Sequence, residues 1–310
     1  MEKIKNIAIV GMGALGVLYG EHFASKLGLK AVTFVADEER IAKYRTQGVY
    51  SNGKRWDFQL SSGGDGVGPA DLLIFSVKGT ALLDAIGEAA PWVGKDTIIL
   101  SLLNGIVSEE IIGEALGNGH VLHCVAQGMD AVKLGNHLTY SHMGQLRIGV
   151  FPEERDKLPL LGRIEELFDR TGLPYMREEN IKRRLWSKWM LNVGVNQVVM
   201  VERGNYGTVQ QPGRPRELMR QAMGEVMILA EKEGVFLTEH DIDGYIELVD
   251  TLDPEGMPSM RQDGIERRPS EVELFSGTVL EKAKKHGLSL PVNEMLYAAI
   301  KEIEAGYGQE

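Results

Sequence analysis

The chain has 310 residues, of which 43% are hydrophobic and 25% charged, with a formal net charge of −10 at neutral pH. That length exceeds one ordinary core and suits two domains, and the composition is that of a globular protein. The acidic balance excludes a general nucleic-acid binder, which needs clustered Lys and Arg, but admits a small anionic ligand, which responds to local charge in a cleft.

The first segment, "KNIAIVG", is a short apolar run ending at glycine. It starts too early to leave room for a signal peptide, and the opening residues are too polar for a membrane span. The expectation is a cytoplasmic protein with no membrane partner. "ALGVLYGEHFASKLG" has helical spacing and stops at Gly28, and "AVTFVAD" is a second strand. "DLLIFSVK" and "TIILSLLNG" are further strands, each ending in polar or glycine residues. Near-continuous apolar strands separated by helices predict a parallel sheet covered on both faces. "HVLHCVAQG" holds the single cysteine, Cys124, which reads as a core residue and permits no intrachain disulfide. "HLTYSHMG" and "QLRIGVF" predict a hairpin on the sheet edge. From about residue 180 strand signals cease. Helical patterns follow in "LWSKWMLNVGVNQVVMV", "RPRELMRQAMGEVMILAEKEG", "EHDIDGYIELVDTL", "SEVELFSGTVLEKAKKHG" and "NEMLYAAIKEIEAG", with a loop predicted over "DPEGMPSMRQDGIERRP". The expected division is an α/β domain over 1–179 and an all-helical domain over 180–310.

"VGMGALG" sets Gly11, Gly13 and Gly16 in a G-x-G-x-x-G pattern between the first strand and the first helix. The first glycine makes the tight turn, the second lets the backbone approach a pyrophosphate, and the third permits close packing of helix on sheet. Met12, Ala14 and Leu15 complete the turn, and the helix N-terminus offers N–H groups to the phosphates. Asp37 ends the second strand, as an acidic residue does in a Rossmann-type dinucleotide site. A lone glycine pattern is weak, and a strand–helix turn without a ligand is the plain alternative. This context instead predicts dinucleotide binding. Lys78 and Asn104 end two further strands on the same sheet edge and are predicted cofactor contacts. The reading calls for no metal.

Lys188, Asn192 and Asn196 recur every fourth residue of an otherwise apolar helix, so they share one face. A buried ammonium without a partner is very costly, so Lys188 is expected to face a carboxylate or a wet cleft. The plain alternative is a snorkelling lysine beside two satisfied core amides. Three such groups in register favour a cleft wall suited to a substrate with a carboxylate, a hydroxyl and a carbonyl. A partly desolvated lysine also suits proton donation to a carbonyl oxygen. Further on, Ser270 with Glu273 predicts a capping box, which leaves Glu271 in the first turn as a carboxylate favoured by the helix dipole. Ser259 reads as an ordinary loop serine.

Taken together, "GMGALG", the strand-end "VK" at Lys78, "LNG" at 103–105, "LWSKWMLNVGVN", "PSMRQD", and "SEVELFSG" followed by "AKKHGLSLPVNEML" resemble the 2-dehydropantoate 2-reductase (ketopantoate reductase) family over essentially the whole chain. The resemblance implies NADP-dependent reduction of 2-dehydropantoate to pantoate, a step toward pantothenate and coenzyme A. It implies that Lys188 is the proton donor, with Glu271 a second catalytic group near the cofactor. Asn192, Asn196, Asn205 and Ser259 would contact substrate, and Lys78, Asn104 and Ala131 the cofactor. The chain departs from the family pattern at Asp37, where an arginine is usual, at Gln197, where proline is common, and at Pro258-Ser259, where a serine pair is common. The first departure favours tolerance of NADH beside NADPH, because a carboxylate bonds a ribose hydroxyl and repels a 2′-phosphate. The others bear on which 2-oxo acid is reduced. Rival readings are a related 2-oxo acid reductase, a β-hydroxyacid dehydrogenase-like enzyme, and a non-catalytic dinucleotide-binding redox sensor, which would need no proton donor. The active site is expected between the domains, and the helical domain offers a face for a homodimer.

Overall fold

The strands predicted from apolar runs form, and their burial explains the runs. In the computed structural model, which describes residues 3–62 and 68–308, the chain begins β1 (Ile7–Val10), α1 (Ala14–Leu27), β2 (Val32–Val35) and α2 (Glu38–Gln47). Three short strands follow, β3 (Val49–Ser51), β4 (Lys54–Trp56) and β5 (Gln59–Ser61), and then β6 (Leu72–Phe75), α3 (Leu82–Ala89), β7 (Ile98–Ser101) and α4 (Ser108–Leu116). The rest of this part is β8 (Val121–Met129), β9 (Val132–Leu134), β10 (His137–Thr139), β11 (Met143–Gly149), α5 (Leu158–Thr171) and β12 (Tyr175–Arg177). One eight-stranded sheet has the order β12-β11-β8-β7-β6-β1-β2-β5. Its strands from β5 to β8 are mutually parallel, and β11 runs antiparallel to β8. Alternate residues feed two cores. Ile7, Ile9, Leu72, Ile74 and Leu100 point into one, and Ala8, Val10, Leu73, Phe75 and Ile99 into the other. In the central strands β1 and β6 both faces are buried and every position is apolar, which is why they carry no polar alternation.

The predicted hairpin is corrected. β10 pairs with β9 and β3 in a separate four-stranded sheet, β4-β3-β10-β9, while β11 joins the large sheet between β8 and β12. The tight reversal lies instead between β9 and β10, where Gly135 has a positive φ. The signal at "LGNH" was short, and pairing partners drawn from residue 50 are not visible locally.

The second unit is helical: α6 (Ile181–Val201), α7 (Tyr206–Gln210), α8 (Arg214–Lys232), α9 (Glu239–Asp250), α10 (Ser259–Ile265), α11 (Ser276–His286) and α12 (Pro291–Ala305). It has its own core, which includes Trp189, Met190, Val193, Met219, Val226, Phe275 and Leu296. The chain divides into Met1–Leu103 with Ser108–Ile181, and Asn104–Val107 with Lys182–Glu310. Residues 104–107 thus group with the helices although they directly follow the end of the β7 region. Two local expectations change. The stretch predicted as a loop over 253–269 contains the two-turn α10. The capping box at Ser270 does not form: residues 272–274 make a 3-10 turn, and α11 starts only at Ser276. Ser270 Oγ accepts the Val272 N–H but donates to Glu304, and Glu273 turns away to Tyr297 and Lys301. The distant carboxylate of Glu304 outcompetes the local box. Among the described residues no helix is long and apolar enough to cross a membrane.

Candidate active site

In the sheet unit the glycine turn sits where the strand order changes direction, with β2 on one side of β1 and β6 on the other. Such switch points open a crevice at the strand C-termini. Gly11 has φ +97°, and a Cβ there would lie 2.7 Å from Val77 Cγ1. A Cβ on Gly16 would strike the Gly11 carbonyl oxygen and Ser76 Oγ. Gly13 is the N-cap of α1, with no side chain bonded over the helix end and no acidic residue in the first turn. The turn therefore leaves amides and the positive dipole end open to a phosphate, and the bare backbone fits a pyrophosphate. Met12 is buried in the core, so only its backbone is available to a ligand, while Ala14 and Leu15 are half-buried. Sequence reading passed over Ser76. Its hydroxyl donates toward the Val10 and Gly11 carbonyls, at 3.1 and 2.8 Å, and pins the turn to the end of β6. The only available signal was a serine closing an apolar run.

Three other predicted cofactor contacts lie in this unit. Asp37 is the N-cap of α2: its Oδ1 accepts the Arg40 N–H at 2.7 Å, and its Oδ2 lies 3.2 Å from Arg40 Nε. Arg40 is thus held at the end of β2 beside the carboxylate. Glu88 on α3 is pushed up in pKa, first by burial and then by the charge of Asp37. Lys78 is exposed and precedes the 3-10 turn after β6. Ala131 is half-buried just before β9 and packs on the sheet core.

In the helical unit, α6 brings the polar stripe together as a bonded row. Asn104 Oδ1 accepts from Lys188 Nζ at 3.2 Å and from Asn192 Nδ2 at 3.5 Å. Asn192 Oδ1 accepts from Asn196 Nδ2 at 3.4 Å. Asn196 Oδ1 accepts from Ser259 Oγ and from the Met260 N–H, both at 3.3 Å. At the other end Asn104 Nδ2 donates to Glu271 Oε2 at 3.0 Å. The amide orientations are forced. A backbone N–H only donates and a carboxylate only accepts at these contacts, so Met260 fixes Asn196 and Glu271 fixes Asn104. Reversing Asn104 would set NH₂ against ammonium and oxygen against carboxylate. Lys188, Asn192, Asn104 and Glu271 are partly accessible, Ser259 is exposed, and Asn196 is buried. Both ends of the row, Glu271 and Ser259, are accessible, and Asn196 is its one buried member.

Most bonds within the row are 3.2–3.5 Å long. That is beyond the usual 2.9–3.0 Å, so a ligand oxygen can replace them with little loss. Asn205 is not joined to the row. It caps α7, with Thr208 and Glu255 as partners. Gln197 faces elsewhere, toward Ser276 and Asn293.

Two family models match the chain, "Ketopantoate reductase PanE/ApbA" over residues 7–153 and "Ketopantoate reductase PanE/ApbA C terminal" over residues 180–304. The 2-dehydropantoate 2-reductase of Pyrococcus horikoshii is 28% identical over 96% of this chain and 97% of its own. Among solved structures, a dimeric ketopantoate reductase from Staphylococcus aureus superposes with a TM-score of 0.80 at 21% identity, covering 97% and 99% of the two chains. D-mandelate dehydrogenase in a ternary structure with NADH and anilino(oxo)acetate superposes with a TM-score of 0.86 at 21% identity, covering 98% and 99%. With both models matched in order across nearly its whole length, the chain belongs to the ketopantoate reductase PanE/ApbA family.

Proposed function

We propose that this chain reduces 2-dehydropantoate to pantoate with NAD(P)H, and that Lys188 is the proton donor. The observation that carries the reading is the bonded row Glu271–Asn104–Lys188–Asn192–Asn196–Ser259. A bound reduced nicotinamide supplies a hydride to the 2-oxo carbon. The glycine turn holds the pyrophosphate, with Lys78 and Ala131 as further contacts. In the helical unit the ammonium of Lys188 is aimed by Asn104 and gives a proton to the developing alkoxide. Asn192, Asn196 and Ser259 bind the carboxylate and hydroxyl of the substrate by exchanging their long mutual bonds for shorter ones. Glu271 orients Asn104, and so orients the lysine. Asn205 contacts substrate only by giving up its bonds to Glu255 and the Thr208 hydroxyl, since its amide stands outside the row. A homodimer is part of the proposal, supported by the dimeric relative.

The test is the decay of NAD(P)H absorbance with a panel of 2-oxo acids that includes 2-dehydropantoate and an aromatic 2-oxo acid. The highest kcat/KM is expected for 2-dehydropantoate; no turnover with any member sinks the reading. For the cofactor, the end of β2 sets the carboxylates of Asp37 and nearby Glu88 beside the guanidinium of Arg40. The Asp37 carboxylate can accept a bond from a ribose hydroxyl and repels a 2′-phosphate, so NADH is expected to support measurable turnover. Asp37→Arg is expected to raise the NADPH-to-NADH ratio of kcat/KM by roughly tenfold, equivalent to about 1.4 kcal/mol. Strong NADPH selectivity, unchanged in Asp37→Ala, would show that Asp37 does not read the ribose.

A further inference from the structure

Beside the row at 188, 192 and 196 runs a second one. Trp189, Val193 and Gln197 are also spaced by four and lie one residue further around α6. Trp189 Nε1 donates to the Leu274 carbonyl at 2.8 Å. Gln197 Oε1 accepts from the Ser276 N–H at 3.3 Å and from the Ser276 hydroxyl. Gln197 Nε2 donates to the Val193 carbonyl at 2.8 Å and to Asn293 Oδ1 at 3.4 Å. Asn293 in turn donates from its backbone and its amide to Glu225 Oε2, each at 2.8 Å. Gln197, Ser276 and Asn293 are fully buried.

The segment gripped by Trp189 and Gln197 is the one that starts with Glu271. Leu274 is bonded back to Glu271 by its own N–H at 3.0 Å, and Ser276 begins α11. An apolar side chain could fill the place of Gln197 without the desolvation of an amide. A buried polar network satisfied on every arm instead selects one arrangement over its neighbours. We infer that Gln197 is a positioning residue for the reaction: it fixes the register of the Glu271 segment on α6, so that Glu271 reaches Asn104 and Asn104 aims Lys188. The inference rests on the proposed roles of Lys188 and Glu271. It gives the Gln197 departure a meaning within this chain, since the amide faces the Glu271 segment and not the substrate row.

A double-mutant cycle tests it on the full chain with saturating NAD(P)H and the best 2-oxo acid. Gln197→Met is expected to lower kcat roughly 10- to 100-fold with little change in KM, the scale of a slightly misplaced catalytic group. In a Glu271→Ala background, which removes the acceptor of the Asn104 amide, the same substitution is expected to cost almost nothing further, because the two act through one bond. An equal loss in both backgrounds, or an unchanged kcat in Gln197→Met, overturns the inference. If Gln197→Met does not fold, Ser276→Ala, which keeps the backbone N–H, carries the same cycle with a smaller expected loss. Full kcat in Glu271→Ala sinks the role given to Glu271. The positional claim is then decided by a crystal structure of the Gln197 or Ser276 variant. Glu271 displaced from Asn104 supports the claim, and Glu271 retained in hydrogen-bonding distance overturns it.

Discussion

At the end of β1 the chain shapes its surface by leaving side chains out, and on α6 it does so by putting them in. The glycine turn works through backbone: a positive φ at Gly11, an uncapped helix end at Gly13, and a contact at Gly16 too close for any Cβ. The row on α6 works through amides and an ammonium whose directions are fixed from both ends, by Met260 and by Glu271. A backbone site is indifferent to which dinucleotide phosphate it meets. A side-chain site discriminates, because each amide presents a defined donor or acceptor. Under the proposed function, the difference puts substrate choice in the helical unit and cofactor attachment in the sheet unit.

The largest expected effect breaks one side of this comparison and spares the other. Lys188→Ala should lower kcat by roughly 10²–10⁴-fold, the usual worth of a positioned acid. Dinucleotide affinity, followed by nicotinamide fluorescence, should stay within about threefold, because the glycine turn is untouched; a near-normal kcat would make the row structural. Gly16→Ala is the reciprocal experiment. Its Cβ meets a backbone carbonyl that cannot swing away, and overpacking of this kind costs about 1–3 kcal/mol. Dinucleotide affinity should fall roughly 10- to 100-fold, and an unchanged Kd would show that the turn does not hold the cofactor.

Asn196→Ala sharpens the comparison inside the row. It strands the Met260 N–H, a loss of about 1–3 kcal/mol. The expectation is a drop in kcat/KM with retained dinucleotide affinity. A fall in Tm with unchanged kcat/KM would return Asn196 to the role of a core amide. The smallest effect involves neither the turn nor the row. Burial pushes the Glu154 carboxyl up, but bonds from His123, Lys157 and the Phe151 N–H outweigh it and bring its pKa down to about 2. A depressed carboxylate contributes stability above its unfolded pKa, near 4.5, that is lost as pH falls toward 2. Tm of the parent protein should therefore fall more steeply over that window than Tm of Glu154→Gln, with parallel curves counting against the pairing.

The sequence by itself determined the parallel strands, because a sheet buried on both faces demands unbroken apolar runs such as "LLIF". It determined the glycine turn, because tight turns and close approaches exclude every other residue locally. It also placed Lys188, Asn192 and Asn196 on one face, because helical spacing alone does so. Tertiary structure decided the rest. That Asn104 closes the row with Glu271 depends on a contact across 167 positions of chain, which no local pattern carries. That Ser270 abandons its capping box depends on Glu304, which accepts both its N–H and its hydroxyl, while the local carboxylate of Glu273 is taken by Tyr297 and Lys301. That β10 leaves the expected hairpin depends on β3, whose free edge competes for the same backbone groups. Local geometry is written in residue type and spacing; partner choice is a competition among groups far apart in the chain, and only the folded structure settles which partner wins.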